Sequence, residues 1–189
     1  SLLMSDPRAI RICARMPRAC AMSSAAASVR PAASRAWARI ARTAAARKRA
    51  GAGVPIDPAN VLPFCGYFGA DVDSLGQFQT LLEDSSSGFD LPAAVIVETV
   101  QAEGGINVAS TEWLRKLRAM THRLGILLIV DDIQVGCGRT GGFFSFEEAG
   151  IAPDIVCLSK SLSGYGLPLS LVLLRPELDV WCPGEHNGT

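Results

Sequence analysis

Apolar residues spaced three or four apart predict two amphipathic helices in this chain. The first helix is expected to begin with Ser74 as its N-cap and to end at Asp84. The second is expected to begin after Ser110 and to stop at Gly125. The predicted buried faces are Leu75, Phe78, Leu81 and Leu82 in the first helix and Trp113, Leu114, Leu117, Met120 and Leu124 in the second.

Short apolar runs between and after these helices predict β-strands. The run 127–131 shows no alternation of apolar and polar residues, which is typical of a strand buried on both faces. A short helix is expected at 145–149, ended by Gly150. Strands that alternate with helices predict an α/β fold with a largely parallel sheet. The predicted strands are 94–98, 127–131, 155–159 and 169–175.

Charge divides the chain into two parts, although its formal net charge is zero. Residues 1–50 contain eleven Lys and Arg but only one acid, Asp6, and sixteen of the fifty are Ala. A basic arm for nucleic acid or a transit peptide would have this composition, and so would a disordered or non-native leader. We favour the last interpretation, because Trp37 is the only aromatic residue available there for base stacking. The predicted division is therefore a leader at 1–50 and a globular part at 51–189.

Several classes of protein are disfavoured by the remaining composition. Apolar runs are shorter than the roughly 18 residues of a membrane span, and the first residues lack the features of a signal peptide. The six cysteines show no Cys-x-x-Cys spacing, which argues against a zinc site and a disulfide framework. We therefore expect a cytoplasmic protein with no membrane or nucleic-acid partner and no metal site.

Candidate chemistry lies at the ends of two predicted strands, where Asp131 closes one and Lys160 follows the next. Ligands of parallel α/β sheets bind at the carboxyl ends of strands. A pyridoxal-phosphate enzyme needs these two groups, because the lysine amine forms a Schiff base and the carboxylate keeps the pyridine nitrogen protonated. Small residues around Lys160 leave room for a planar ring: Ser159, Ser161, Ser163, Gly164 and Gly166.

Other motifs nearby have simpler interpretations. Cys157 occupies the position that a Ser-x-x-Lys nucleophile would need, so that chemistry is disfavoured. Residues 136–141 fit G-x-G-x-x-G, but no long helix follows them, and we favour an active-site loop carrying Arg139 over a dinucleotide site. Of Asp131 and Asp132 only one can face the site, because neighbouring strand residues point to opposite faces. Glu98 and Glu103 are either solvated loop acids or substrate contacts.

Taken together, these segments resemble the class III pyridoxal-phosphate aminotransferases. The matching elements occur in the same order as in that family. They are Ala94-Val95-Ile96-Val97-Glu98, Asp131-x-x-Gln134, Gly138-Arg139-Thr140-Gly141, Pro153-Asp154-Ile155-Val156 and Leu158-Ser159-Lys160. The resemblance covers residues 48–189 and implies part of the large domain of a fold-type-I transferase, whose full members are more than twice as long.

The resemblance also implies roles and partners. Lys160 would be the Schiff-base lysine, Asp131 would pair with the pyridine nitrogen, and Gln134 would bond the ring hydroxyl of pyridoxal 5'-phosphate. Thr189 would bind the cofactor phosphate of the neighbouring subunit in a homo-oligomer built from dimers. The substrate side would include Glu98, Glu103 and Arg139.

A finer resemblance is to the family branch that acts in ectoine biosynthesis. It implies transfer of an amino group from L-glutamate to L-aspartate 4-semialdehyde, giving L-2,4-diaminobutyrate and 2-oxoglutarate. Another ω-aminotransferase of the ornithine, acetylornithine or 4-aminobutyrate type remains open. So does a truncated module without catalysis, and we expect these 189 residues alone to be inactive and to expose apolar surface.

Overall fold

A mixed six-stranded sheet is the centre of the computed structural model, which describes residues 9–11, 61–164 and 166–179. The strand order is β2-β1-β3-β6-β7-β8, and β4 and β5 form a separate two-stranded sheet. Within the described ranges two α-helices accompany them, α1 and α2. The strands are β1 (Ala9–Arg11), β2 (Val61–Pro63), β3 (Ala94–Val97), β4 (Val100–Gln101), β5 (Asn107–Val108), β6 (Leu127–Asp131), β7 (Ile155–Leu158) and β8 (Leu171–Leu174), and the helices are α1 (Ser74–Glu83) and α2 (Thr111–Leu124).

Parallel pairing is confined to the middle of the sheet. β6 lies between β3 and β7 and is parallel to both, with Val97 opposite Val130 and Asp131 opposite Cys157. β8 runs antiparallel to β7, and β1 runs antiparallel to β2 and β3. The predicted α/β fold is therefore confirmed, and the parallel part of the sheet is the part that carries Asp131 and precedes Lys160.

Helix α1 starts one residue earlier than predicted. Its N-cap is Asp73, whose Oδ1 accepts a hydrogen bond of 2.9 Å from the amide of Gly76, so the assignment of Ser74 as cap is wrong. A carboxylate at this position also interacts favourably with the positive end of the helix dipole. Leu75 and Phe78 are buried as predicted, whereas Leu81 is 38% exposed.

Helix α2 matches its prediction closely. Ser110 Oγ accepts a hydrogen bond of 3.2 Å from the amide of Trp113, and Gly125 ends the helix in the left-handed conformation at φ 63°. Leu114, Leu117 and Met120 are buried on its inner face. The helix contacts the sheet through this face. Its carboxyl end leads directly into β6.

The core occupies both faces of the sheet, because successive strand residues point in opposite directions. Leu128 and Val130 belong to the larger apolar cluster, together with Leu117 of α2. Ile129 belongs to a smaller cluster with Ala94 and Ile155. The prediction that 127–131 is buried on both sides is thus confirmed.

Residues 145–149 do not form the predicted helix. They form successive turns, in which the Phe144 carbonyl accepts from Glu147 N and the Glu147 carbonyl accepts from Gly150 N. Five residues before a glycine are too few to propagate an α-helix. Most of the leader at 1–50 lies outside the described residues, so the division at residue 50 stays a prediction.

No helix in the described part of the chain is long and apolar enough to cross a membrane.

A buried carboxylate fixes the amino ends of the parallel strands. Asp154 is 5% exposed and precedes β7; its Oδ2 accepts a 2.8 Å hydrogen bond from the amide of Leu128 in β6. Arg118 of α2 donates to both of its oxygens, and Arg175 after β8 donates to Oδ1 at 2.8 Å. One side chain therefore joins β6, β7, α2 and the end of β8.

We expect Asp154→Asn to lower the free energy of unfolding at pH 7 by about 3 kcal/mol, because it leaves two arginines facing a neutral amide. Burial alone would raise the pKa of Asp154, but the hydrogen bonds from Arg118 and Leu128 outweigh it and lower that pKa below its ordinary value of 3.8. The wild-type chain should therefore lose this stabilisation as pH falls below about 4, whereas the variant should not. Urea unfolding at pH 7 and pH 3 measures both effects, and equal pH dependence of the two chains would contradict the assignment.

Strand β8 presents apolar side chains to solvent along its whole length. Leu171, Val172, Leu173 and Leu174 are 37–56% exposed, and β8 is the last strand in the order of the sheet. Exposed apolar edge strands favour self-association. We expect the chain to elute as oligomers on size exclusion and Val172→Lys to shift it towards monomer. An unchanged profile for the variant would show that another surface drives association.

Candidate functional site

The candidate site lies at the carboxyl edge of the parallel strands. β6 ends at Asp131, and β7 ends two residues before Lys160. Because β6 and β7 are parallel and in register there, both strands deliver their next residues to the same edge of the sheet. Asp131 lies opposite Cys157, so the predicted acid and lysine arise from neighbouring strands.

Lys160 begins a short 3-10 helix, Lys160–Ser163, in an unusual backbone conformation. Its φ is 45°, a left-handed value that costs an L-residue roughly 1–3 kcal/mol and is enriched at functional sites. The side chain is half exposed. Its Nζ donates to Gln134 Oε1 and lies 3.8 Å from Glu103 Oε1. The amine is thus held between an amide oxygen and a carboxylate.

Asp131 is partly buried at the same edge. Its Oδ1 accepts a 3.1 Å hydrogen bond from the amide of Ile133, which turns the chain away from the strand. Its negative charge acts on the thiol of Cys157 in the neighbouring strand. Burial raises the pKa of the Cys157 thiol, and the charge of Asp131 raises it further.

The loop after β6 carries Gln134 and Arg139 around Lys160. Arg139 Nε donates to Ser161 Oγ at 2.7 Å, which ties the loop to the turn that follows Lys160. Turns and bends, with no helix, occupy 133–150. The glycine-rich segment therefore lacks the helix N-terminus that a dinucleotide fingerprint requires, which agrees with the interpretation of this segment as a loop.

The structure brings together four of the predicted residues: Lys160 with Gln134 and Glu103, and Arg139 with the turn after Lys160. Asp131 is at the same sheet edge but makes its hydrogen bond within its own turn. Glu98 directly follows β3 and is exposed. Thr189 lies outside the described residues, so its predicted role is not tested.

Three further residues, Asp132, Thr99 and Ser145, lie beneath the site. Asp132 is 1% exposed and Thr99 is 2% exposed, and both are hydrogen-bonded to Ser145. The acidic pair at 131 and 132 indicated that one of the two acids faces away from the site. Nothing in the sequence predicts the hydrogen-bond partners of that acid. Contacts between residues 99, 132 and 145 depend on the loop path, which hydrophobic periodicity does not encode.

These side chains fit pyridoxal 5'-phosphate in their donor chemistry. An amine for covalent attachment, a carboxylate for a ring nitrogen and an amide for a ring hydroxyl are present at one edge of the sheet. Ser161, Ser163 and Gly164 follow the lysine and offer little bulk. The described residues around Lys160 thus have the donor and acceptor groups that the cofactor ring would need.

Comparisons with known proteins agree with this geometry. A family model described as aminotransferase class-III matches residues 77–189. A diaminobutyrate–2-oxoglutarate transaminase of Streptomyces anulatus is 65% identical over 150 residues, covering 79% of this chain and 36% of that protein. The protein of the same name from Halomonas elongata is 63% identical over 142 residues, covering 75% of this chain and 34% of that protein.

A solved structure shares the fold. That of Plasmodium falciparum ornithine delta-aminotransferase is similar with a TM-score of 0.52 and 32% identity, covering 63% of this chain and 29% of that one. The chain belongs to the class-III aminotransferase family. It spans about a third of the length of the curated relatives that it matches.

The charge of Asp131 can be tested without a cofactor. We expect Asp131→Asn to speed alkylation of Cys157 by iodoacetamide about twofold at pH 8, because removing the carboxylate charge lowers the thiol pKa and increases the thiolate fraction. Mass mapping gives the rate for each cysteine. Cys65, more than sixty residues away in sequence, is the internal control, and acceleration of both thiols alike would indicate unfolding rather than loss of a local charge.

Proposed function

We propose that this chain is the lysine-bearing part of a pyridoxal-phosphate aminotransferase that moves an amino group from L-glutamate to L-aspartate 4-semialdehyde. The products would be L-2,4-diaminobutyrate and 2-oxoglutarate, the two compounds in the names of the relatives at 58–65% identity. The observation that carries the proposal is the amine of Lys160 held against Gln134 at the strand edge where Asp131 also lies. The activity proposed is that of a whole protein, of which this chain spans about a third.

The bound cofactor would supply an aldehyde for covalent attachment and a ring that accepts electrons. Lys160 would hold it covalently, and Asp131 would keep its ring nitrogen protonated through an ion pair. Gln134, whose Oε1 accepts from the lysine amine here, would orient the amine and contact the ring hydroxyl. The amine of Lys160, the carboxylate of Asp131 and the amide of Gln134 are the functional groups that these three roles require.

Proton movement would depend on Lys160. The free amine of Lys160 would take a proton from the substrate carbon as a general base and give it back to the substrate as a general acid. Glu103 Oε1 lies 3.8 Å from Nζ and forms an ion pair with the amine. Gln134 limits the directions in which the amine can point. The lysine would therefore both attach the cofactor and carry the proton.

Substrate recognition is proposed for the acids and the arginine of the surrounding loops. Glu98 and Glu103 come from the end of β3 and the β4–β5 hairpin, and both are exposed. Arg139 is also exposed, and it is fixed through Ser161. These charges could meet the amino and carboxylate groups of the amino donor and acceptor.

Further partners rest on the sequence. Thr189 would bind the cofactor phosphate of a neighbouring subunit in a dimer-based homo-oligomer. We propose a cytoplasmic location because of the cysteine spacing. An ornithine-type reaction is the second candidate, since the solved ornithine delta-aminotransferase shares the fold at 32% identity. The higher identity to the diaminobutyrate transaminases favours the first.

Reductive labelling tests the proposed lysine. We expect borohydride reduction after incubation with pyridoxal phosphate to label Lys160 at least about tenfold more than Lys116, because, of these two described lysines, Lys160 alone has neighbours suited to the cofactor. Lys116 is a matched control, since its side chain is 48% exposed against 51% for Lys160. Peptide mass mapping of the wild-type, Lys160→Ala and Lys116→Ala chains measures the adducts.

The two variants separate a site from general reactivity. Lys116→Ala should leave the adduct on Lys160 unchanged, and Lys160→Ala should abolish the specific adduct. Equal labelling of both lysines in the wild-type chain, or loss of the adduct only after Lys116→Ala, would overturn the assignment of Lys160. Amino-group transfer between glutamate and aspartate semialdehyde, or ornithine, in the longer protein then distinguishes the two candidate reactions.

A further inference from the structure

Asp132 is the most deeply buried acid beside the candidate site. It is 1% exposed, whereas its neighbour Asp131 is partly exposed at the edge of the sheet. Oδ2 of Asp132 accepts a 3.1 Å hydrogen bond from the amide of Ser145, and Oδ1 has no donor among the described residues. Burying a carboxylate with one oxygen unpaired is unfavourable for stability, so apolar packing does not explain this residue.

The contacts of Asp132 close the loop that carries Gln134. Its carbonyl accepts a 2.9 Å hydrogen bond from the amide of Gly136, near the start of the loop, and its carboxylate holds Ser145 near the end. Its own amide donates to the carbonyl of Cys157 on β7 at 2.9 Å. One residue therefore fixes both ends of the loop against the strand that leads to Lys160.

The backbone of Gly136 packs closely against the carbonyl and carboxylate oxygens of Asp132. A Cβ at that position would lie 2.7 Å from the Asp132 carbonyl oxygen and 2.8 Å from its Oδ2. Contacts that short do not occur, so residue 136 must be glycine for the turn to close over the carboxylate. The next residue, Cys137, has a left-handed φ of 59°, and its amide donates to the Phe143 carbonyl at 2.7 Å.

Ser145 extends the contacts to a second loop. Its hydroxyl is hydrogen-bonded to that of Thr99, which is 2% exposed and lies between β3 and β4. The Thr99 carbonyl accepts a 2.9 Å hydrogen bond from the amide of Ala109, which closes the β4–β5 hairpin. Glu103 lies in that hairpin. The cluster of Asp132, Ser145 and Thr99 thus connects the two loops whose side chains meet the amine of Lys160.

We propose that Asp132 is a positioning residue, which acts through Ser145 and Thr99 to hold Gln134 and Glu103 at the Lys160 amine. This inference rests on the proposed role of Lys160 as the reactive lysine. Asp132 touches none of the groups proposed to react. It sets the positions of the two acceptors between which the amine lies.

Trace acetylation of the 189-residue chain without cofactor tests this inference. We expect Asp132→Ala to raise the ratio of Lys160 to Lys116 labelling by acetic anhydride about threefold, because loss of the Gln134 and Glu103 contacts frees the amine. Hydrogen exchange should show at least about tenfold faster exchange in 133–146 and 100–108. Asp132→Asn, which keeps an acceptor for Ser145, should restore most of the protection.

Asp154→Asn is the matched control, because it also removes a buried carboxylate but at the amino ends of the strands. It should reduce stability and leave the labelling ratio unchanged. An unchanged ratio and unchanged exchange in Asp132→Ala would overturn the proposal, and so would an equal change of the ratio in Asp154→Asn.

If Asp132→Ala fails to fold, Thr99→Val tests the positioning role instead, because this substitution removes one hydroxyl at nearly constant volume. It should speed exchange in 100–108 while leaving 133–146 protected, and exchange unchanged in both segments would overturn the proposal. None of these readouts involves pyridoxal phosphate, so failure of the reductive labelling and failure of this positioning role are distinguishable.

Discussion

The parallel pairing of β6 with β3 and β7 is the constraint on which the rest of the structure depends. Parallel strands start at one edge of a sheet and end at the other, so their following loops meet in space whatever their separation in sequence. Here the register places Val97 opposite Val130 and Asp131 opposite Cys157. Glu103, Gln134 and Lys160 reach one amine-centred site because these three strands end together.

A buried acid lies at each end of these parallel strands, and the two acids make different contacts. At the amino ends, Asp154 satisfies both of its oxygens with arginines and a backbone amide, which is the arrangement expected of a structural carboxylate. At the carboxyl ends, Oδ1 of Asp132 has no hydrogen-bond donor among the described residues, and Oδ2 accepts from the amide of Ser145 in the loop. Stability and site geometry are therefore supported by different residues, which allows each to be perturbed separately.

The sequence predicted those parts of the structure that local chemistry determines. Periodicity and capping residues predicted α2 between Ser110 and Gly125, and an uninterrupted apolar run predicted β6. Both predictions succeed because a helix end and a strand buried on both faces each require particular residue types close together in the sequence. The predicted helix at 145–149 is wrong, because five residues before Gly150 are too few to propagate an α-helix, and the chain forms turns there.

Site residues were predictable where their chemical type was rare at a strand end. Lys160 and Asp131 stand out because a charge follows an apolar run, and Glu103 stands out as an acid beside a turn. The resemblance to the family added Gln134, and the structure places Gln134 and Glu103 beside the lysine amine. Thr99 and Ser145 have no such mark, since a threonine or serine in a loop has many ordinary uses. Their place beneath the site appears only when strand register and loop closure are known together. The groups proposed to react can therefore be predicted from the sequence, whereas the side chains proposed to position them are found only in the structure.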